Sequence, residues 1–176
     1  MKTLKGTSFI LREWKNGDEE SLTRHANNRK IAQNLRDVFP HPYTLQDAYC
    51  WIKMISGIKK DIVYAIVVDD QAVGGIGLHA GHDIYRYNAE LGYWLSEDYW
   101  GKGITTEAVK LILEAAFKDY PWTRIYASVF HTNKASMRVL EKCGFRREAI
   151  LRKSIKKQGE YLDEYIFALL KQNYKP

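Results

Sequence analysis

Apolar residues recur along this chain with two periods, and the switches between them mark its elements. Alternation by two over Ser8 to Trp14 predicts a first strand, with Phe9, Leu11 and Glu13 on one face. Asn16-Gly17-Asp18 reads as a turn and helix start leading into Glu19 to Ala26. A second helix starts at Thr44, an N-cap residue with Asp47 at the capping-box position. Its Ala48, Trp51, Ile52 and Ile55 fall on one helical face. The stretch between these helices, Asn34 to Tyr43, has no periodicity and is rich in Pro, His, Phe and Arg, which predicts an ordered loop.

The β-branched run Ile62 to Val68, the turn Asp69-Asp70-Gln71 and the run Ala72 to Leu78 predict a hairpin. Tyr85 to Leu95 extends it to a three-stranded meander. Gly74, Gly75 and Gly77 lie inside a strand-like run and mark a bulge or a close backbone approach. The period then changes to helical over Ile104 to Phe117, with Ile104, Ala108, Leu111, Ile112 and Ala115 on one face. Arg124 to Phe130 predicts a strand, and Asn133 to Lys142 a short helix stopped by Gly144. Phe145 to Ile155 and Tyr161 to Leu170 predict two last strands around Gln158-Gly159. The order is β, two helices, a meander, then α-β-α-β-β: a mixed α/β fold, its sheet mostly antiparallel, with helices on both faces.

With 176 residues and no linker or repeat, the chain reads as a single domain, 1–176, large enough for a sizeable core. No apolar run is long enough to span a membrane, and the N-terminus lacks a signal-like stretch, so no membrane partner is expected. Cys50 and Cys143 match no metal or redox spacing and read as small buried hydrophobes in a reducing cytoplasm. His79, His82 and Asp83 do not complete a ligand set, so no metal is expected. The net charge of +6 permits an anionic partner, but the basic residues are scattered and broken by acidic ones, so direct nucleic-acid binding is not expected.

The most informative stretch is Tyr99-Trp100-Gly101-Lys102-Gly103-Ile104-Thr105-Thr106-Glu107-Ala108. Two glycines between a strand and a helix aim backbone N–H groups and the positive end of the helix dipole at one point, which favours a phosphate. Thr106 stands where a dinucleotide fingerprint needs its third glycine, and the glycine spacing is too short for a P-loop. A plain tight turn is the other reading of this feature alone.

The element order, with this loop in this place, resembles the GNAT acetyltransferase superfamily over nearly the whole chain, Phe9 to Leu169. The family's pyrophosphate loop, Arg/Gln-x-x-Gly-x-Gly/Ala, matches Trp100 to Thr105; Gly103 keeps the central glycine, while Trp100 and Thr105 depart from the pattern. Three runs are similar to the branch that acetylates ribosomal-protein N-termini. They are the Tyr-Trp-Gly-Lys-Gly loop, Ala89-Glu90-Leu91-Gly92-Tyr93-Trp94-Leu95, and Asn133-Lys134-Ala135-Ser136-Met137-Arg138-Val139-Leu140-Glu141-Lys142-Cys143-Gly144-Phe145. The resemblance implies an acetyl-CoA-dependent N-acetyltransferase working by direct attack in a ternary complex. It implies a protein N-terminal α-amine as acceptor; the same branch holds enzymes that acetylate small amines (polyamines, amino acids, antibiotics). A monomer or a homodimer fits it equally.

Residue by residue, acyl transfer needs the cofactor held, the carbonyl polarised, the amine deprotonated and the thiolate stabilised. Backbone N–H groups of Gly101, Lys102, Gly103, Ile104, Thr105 and Thr106 would fix the pyrophosphate, and Lys102 would add charge there or stay solvated. The strand through Tyr93, Trp94 and Leu95 would bind the pantetheine arm as an added strand, with a backbone N–H at Trp94 or Leu95 on the thioester oxygen. Gly92 suggests a bulge that splays this strand from Arg124–Phe130 and opens the slot. Glu90 is the candidate general base; the alternative is a surface carboxylate paired to Arg86 or another cation. Asn133 is expected as a helix N-cap and, by the resemblance, a cofactor contact. Ser136 is, by the resemblance, the proton donor to the thiolate or a cofactor contact. Relatives carry a Tyr acid four residues further on, where this chain has Leu140. Phe39, Tyr43 and Trp94 are candidates to line the acceptor pocket. The missing Tyr leaves one reading of another class, a non-catalytic acyl-CoA binding or sensing module.

Overall fold

Seven consecutive apolar residues, Ile62–Val68, form a strand buried on both faces (β3). Ile62, Tyr64 and Ile66 point into one core, and Val63, Ala65 and Val67 into another. The computed structural model describes residues 2–57 and 61–175. Around β3 the chain runs through β1 (Leu4–Lys5), β2 (Ile10–Glu13), α1 (Glu19–Ala26), α2 (Arg29–Ala32) and α3 (Leu45–Ser56) before it, then β4 (Gln71–Ala80) and β5 (Asn88–Leu95). It continues with α4 (Ile104–Asp119), β6 (Arg124–Phe130), α5 (Lys134–Lys142), β7 (Arg146–Lys157) and β8 (Glu160–Leu170). The described strands make one sheet of eight in the order β1-β2-β3-β4-β5-β6-β8-β7. Every pair is antiparallel except β5 with β6, which are joined by the α4 crossover.

The larger core lies between the sheet and α4 and α5, with Val109, Leu113, Met137 and Leu140 buried against Leu78, Leu91 and Ile125. The smaller one seats α1 and α3 on the other face, through Leu22, Ala26, Ala48 and Ile52. The mixed α/β fold with helices on both faces therefore stands.

Several local expectations shift. Asp83–Tyr85 is a single 3-10 turn, so β5 begins at Asn88 rather than Tyr85. The one-turn helix α2 and the short strand β1 carry too little periodicity to be foreseen. On α4 the buried arc takes in Val109, Leu113, Ala116 and Phe117, while Leu111 and Ala115 are half-buried, because the helix is flanked by α5 as well as by the sheet. Cys143 is buried as expected, but Cys50 is exposed on α3. The β7–β8 hairpin turns where the sequence places it, with Gln158 and Gly159 both at positive φ.

The expected bulge at Gly92 is absent. β4 and β5 pair without a register shift from Gly74↔Leu95 to Ala80↔Ala89. The irregularity sits between Ile66 and Val67, where β4 carries an extra residue at Val73. Gly74 marks a close approach: a Cβ there would lie 2.6 Å from the Trp94 carbonyl oxygen.

Candidate active site

The splay exists without the bulge. β5 and β6 pair only at Asn88↔Arg124, Ala89↔Ile125 and Glu90↔Tyr126. Past Glu90, β6 continues along β8 and leaves β5 with a free edge. Which groups face that edge follows from strand alternation. Ser96 donates its N–H to Val73 (2.8 Å) and Asn88 accepts from Gly81 (2.9 Å), so the even-numbered residues of β5 turn their backbone toward β4. The N–H groups of Leu91, Tyr93 and Leu95 then face the splay, and that of Trp94 does not. Of the two donors expected for a thioester oxygen, Leu95 is the one on the open side. Its carbonyl, on the same edge, accepts from the Trp100 indole N–H at 2.8 Å. Trp100 thus takes up a strand-end oxygen, a role invisible without the fold.

Beyond β5 the glycine loop has the conformation its residues suggest. Gly101 (φ 76°) and Gly103 (φ 81°) adopt left-handed backbone that a side chain would strain. Gly103 is the N-cap of the 16-residue α4. The first turn of the helix closes with Glu107 N–H on the Gly103 carbonyl (3.1 Å), so the N–H groups of Ile104, Thr105 and Thr106 have no acceptor within the helix. The Lys102 ammonium lies over the Tyr99 ring, 5.1 Å from its centroid. The loop can take an anion on backbone donors, as the sequence implies.

Asn133 is the N-cap of α5, its side-chain oxygen accepting from Ser136 N–H at 3.1 Å. It also lines a polar cavity of about 530 Å³ with Asn34, Lys134 and Lys157. Ser136 has a partner the sequence does not reveal. The Tyr93 hydroxyl, arriving from β5, lies 2.8 Å from Ser136 Oγ and 3.3 Å from its carbonyl oxygen. Burial pushes the Tyr93 phenol above its ordinary value, only partly opposed by the Ser136 hydrogen bond.

On the face of the sheet that carries α1 and α3, a cavity of about 730 Å³ opens onto the splay. Glu90, Gly92 and Trp94 of β5, and Ser128 and Phe130 of β6, line it. Phe39 stacks edge-on to Trp94 (5.7 Å between centroids) and tilts against Tyr43 (5.0 Å), so all three acceptor-pocket candidates converge. Trp14 and Trp51 complete an aromatic wall. Gly75 leaves room for the Trp14 and Trp94 indoles: a Cβ there would lie 2.8 Å from Trp94 Nε1 and 3.3 Å from Trp14 Cζ2. Burial raises the Tyr43 phenol to about 12, with the Asp47 charge adding to it.

The loop from Asn34 to Tyr43 lines this cavity and is held along its length by side chains from elsewhere in the fold. Arg36 forms an ion pair with Glu90 through its guanidinium. Lys157, from the β7–β8 hairpin and buried, donates to the Leu35 carbonyl (2.8 Å) and to Asp37 Oδ1 (2.6 Å). The Glu90 carboxylate is therefore paired as the bland reading expected, but to a cation of the pocket loop rather than Arg86. Asp47, which also lines the cavity, is held by Thr44 in a capping box. Among the described residues no group of three or more His, Cys, Asp or Glu forms a metal-ligand cluster.

The model of the Acetyltransferase (GNAT) domain matches residues 8–146. Probable N-acetyltransferase YjcK of Bacillus subtilis (strain 168) is 33% identical over 174 residues, covering 95% of this chain and 96% of that one. The chain belongs to the GNAT acetyltransferase family. This acetyltransferase shares its fold with RimL, a ribosomal L7/L12 alpha-N-protein acetyltransferase solved in complex with coenzyme A. The two superpose with a TM-score of 0.84 at 19% identity, over 96% of this chain and 98% of that one. It also shares it with spermidine N-acetyltransferase from Vibrio cholerae, solved with CoA and spermine, with a TM-score of 0.81 at 20% identity over 96% and 99%. One fold thus serves a protein α-amine and a polyamine, and the acceptor has to be argued from the pocket.

Proposed function

We propose that this acetyltransferase moves the acetyl group of acetyl-CoA onto the α-amine of a peptide or protein N-terminus. The observation that carries the acceptor class is the wall of the larger cavity. It is built from Trp14, Phe39, Tyr43, Trp51 and Trp94, with Asp47, Glu90 and Glu164 as its carboxylates. Asp47 is engaged by Thr44 and Glu90 by Arg36. A polyamine brings several ammonium groups and needs several unengaged carboxylates; one α-amine needs one. The aromatic wall suits the side chain of a first residue.

In this reading the pyrophosphate rests on the N–H groups from Gly101 to Thr106, with Lys102 turning from Tyr99 to meet it. The pantetheine arm runs along the free edge of β5 and takes the N–H groups of Tyr93 and Leu95. The acceptor ammonium displaces the Arg36 guanidinium from Glu90, which accepts its proton through a water. The amine nitrogen bonds to the thioester carbon, the carbon–sulfur bond breaks, and Ser136 hydrogen-bonds the departing sulfur. The proton lost by the amine and the one gained by the thiol balance through Glu90 and solvent.

The test is thiol release from acetyl-CoA across peptides beginning with Ser, Ala or Met, and across spermidine, amino acids and aminoglycosides. The expected result is kcat/KM at least about tenfold higher for one peptide class, with Glu90→Gln lowering kcat by about 10²–10⁴-fold. Turnover confined to small amines overturns the acceptor reading, and an unchanged Glu90→Gln rate moves the base elsewhere.

A further inference from the structure

We infer that Tyr93 is a positioning residue for catalysis: its hydroxyl fixes the direction of the Ser136 O–H so that Ser136 donates to the departing sulfur. The inference rests on the proposed role of Ser136. It starts from the hydroxyl pair that bridges β5 and α5, 2.8 Å between oxygens.

Each hydroxyl carries one proton, so the pair has two arrangements. In one, Ser136 donates to the Tyr93 oxygen and the phenol donates to the Ser136 carbonyl at 3.3 Å, which spends the serine proton inside the pair. In the other, the phenol donates to Ser136 Oγ and the serine proton is free to point outward. A thiolate forming beside Ser136 selects the second arrangement, because only there does an O–H face the new charge. The chain phenol O–H to serine O–H to sulfur also polarises along its length, so each bond strengthens the next.

Three surroundings hold Tyr93 to this task. Burial keeps its phenol protonated across the working pH range, so it serves as a steady donor and does not itself give up a proton. Its ring packs against the larger core, and its strand partner Ile76 is fully buried, which leaves the hydroxyl little freedom. Leu140, the next residue on the same face of α5, is fully buried and has no proton to offer.

The experiment is a double-mutant cycle with Tyr93→Phe and Ser136→Ala, read as single-turnover rates, with KM for acetyl-CoA and thermal melts recorded for every variant. Tyr93→Phe is expected to slow acetyl transfer by about tenfold with KM for acetyl-CoA within about twofold of the parent. In the Ser136→Ala background the same change is expected to cost less than about twofold, since there is no serine proton left to orient. An equal loss in both backgrounds makes Tyr93 merely structural and overturns the inference while sparing the role of Ser136. A Tyr93→Phe rate equal to the parent's also overturns it. A Ser136→Ala rate equal to the parent's removes the reading on which it rests, and the inference falls with it.

Discussion

Gly92 offers the sharpest perturbation of the site, because stability and activity are expected to move in opposite directions. A Cβ built at Gly92 meets nothing within 4 Å, and its cross-strand partner on β4 is Gly77, which adds no side chain either. The empty space is part of the cavity between Glu90 and Trp94. Gly92→Val therefore fits the free protein. A strand interior gains about 0.5–1 kcal/mol when glycine is replaced by a residue with less backbone freedom. For a chain of 176 residues that raises Tm by about 1–4 °C. In the proposed arrangement amine and thioester meet over Gly92, beside Glu90 and the free edge of β5, so the same isopropyl group occupies their floor. Overfilling a fitted site costs about 1–3 kcal/mol, which lowers kcat/KM by about 5- to 150-fold. The assay is thiol release at varied acetyl-CoA and acceptor, beside a calorimetric melt. A variant that is stabilised and fully active would refute the placement of the reacting groups over Gly92.

Two further outcomes follow from the pocket loop and from the buried tyrosines. Lys157→Met keeps the length of the stem but removes the bonds to Leu35 and Asp37; because Asp37 is 80% exposed, the cost is about 1–2 kcal/mol, seen as a Tm lower by about 2–8 °C and a rise in acceptor KM larger than that in acetyl-CoA KM. Equal changes in both KM values would sink the idea that this lysine holds the acceptor loop. Tyr43 and Tyr64 are both pushed to about 12 by burial, whereas an unfolded tyrosine ionises near 10. The folded state keeps those protons longer, so their contribution is full below about pH 10 and is lost as pH rises from about 10 to 12. Urea midpoints at pH 8, 10 and 11 are expected to hold steady and then drop; a flat midpoint contradicts the burial of these phenols.

What the sequence made legible was whatever depends on local backbone chemistry. Gly101 and Gly103 before an apolar-periodic run, Asn133 before α5 and Gln158-Gly159 between two alternating runs each fix a conformation from their own residues, and each is found in it. The sequence of β5 suggested the splay and put Glu90 beside it, and Glu90 does line the cavity there, yet the cause assigned to the splay was wrong. No glycine bulge opens it; β6 keeps to β8 along its whole length and leaves β5 behind. Most of the partners that the sequence hid are distant in the chain. Arg36 reaches Glu90, Lys157 reaches Leu35, and Tyr93 reaches Ser136 only after the sheet has closed. Such pairings carry no period and no spacing, so nothing in a single sequence announces them.

The division of labour on β5 has a consequence for how this scaffold can change. One edge of the strand offers main-chain groups, and one of its faces offers the side chains of Glu90 and Trp94 to the cavity. Main-chain donors look the same whatever residues carry them. On the proposed binding mode, acceptor preference can therefore drift through substitutions on that face and on the pocket loop, while the grip on the acyl donor stays constant. Two neighbouring lineages could keep one cofactor and part company over their amines without a single insertion in the sheet.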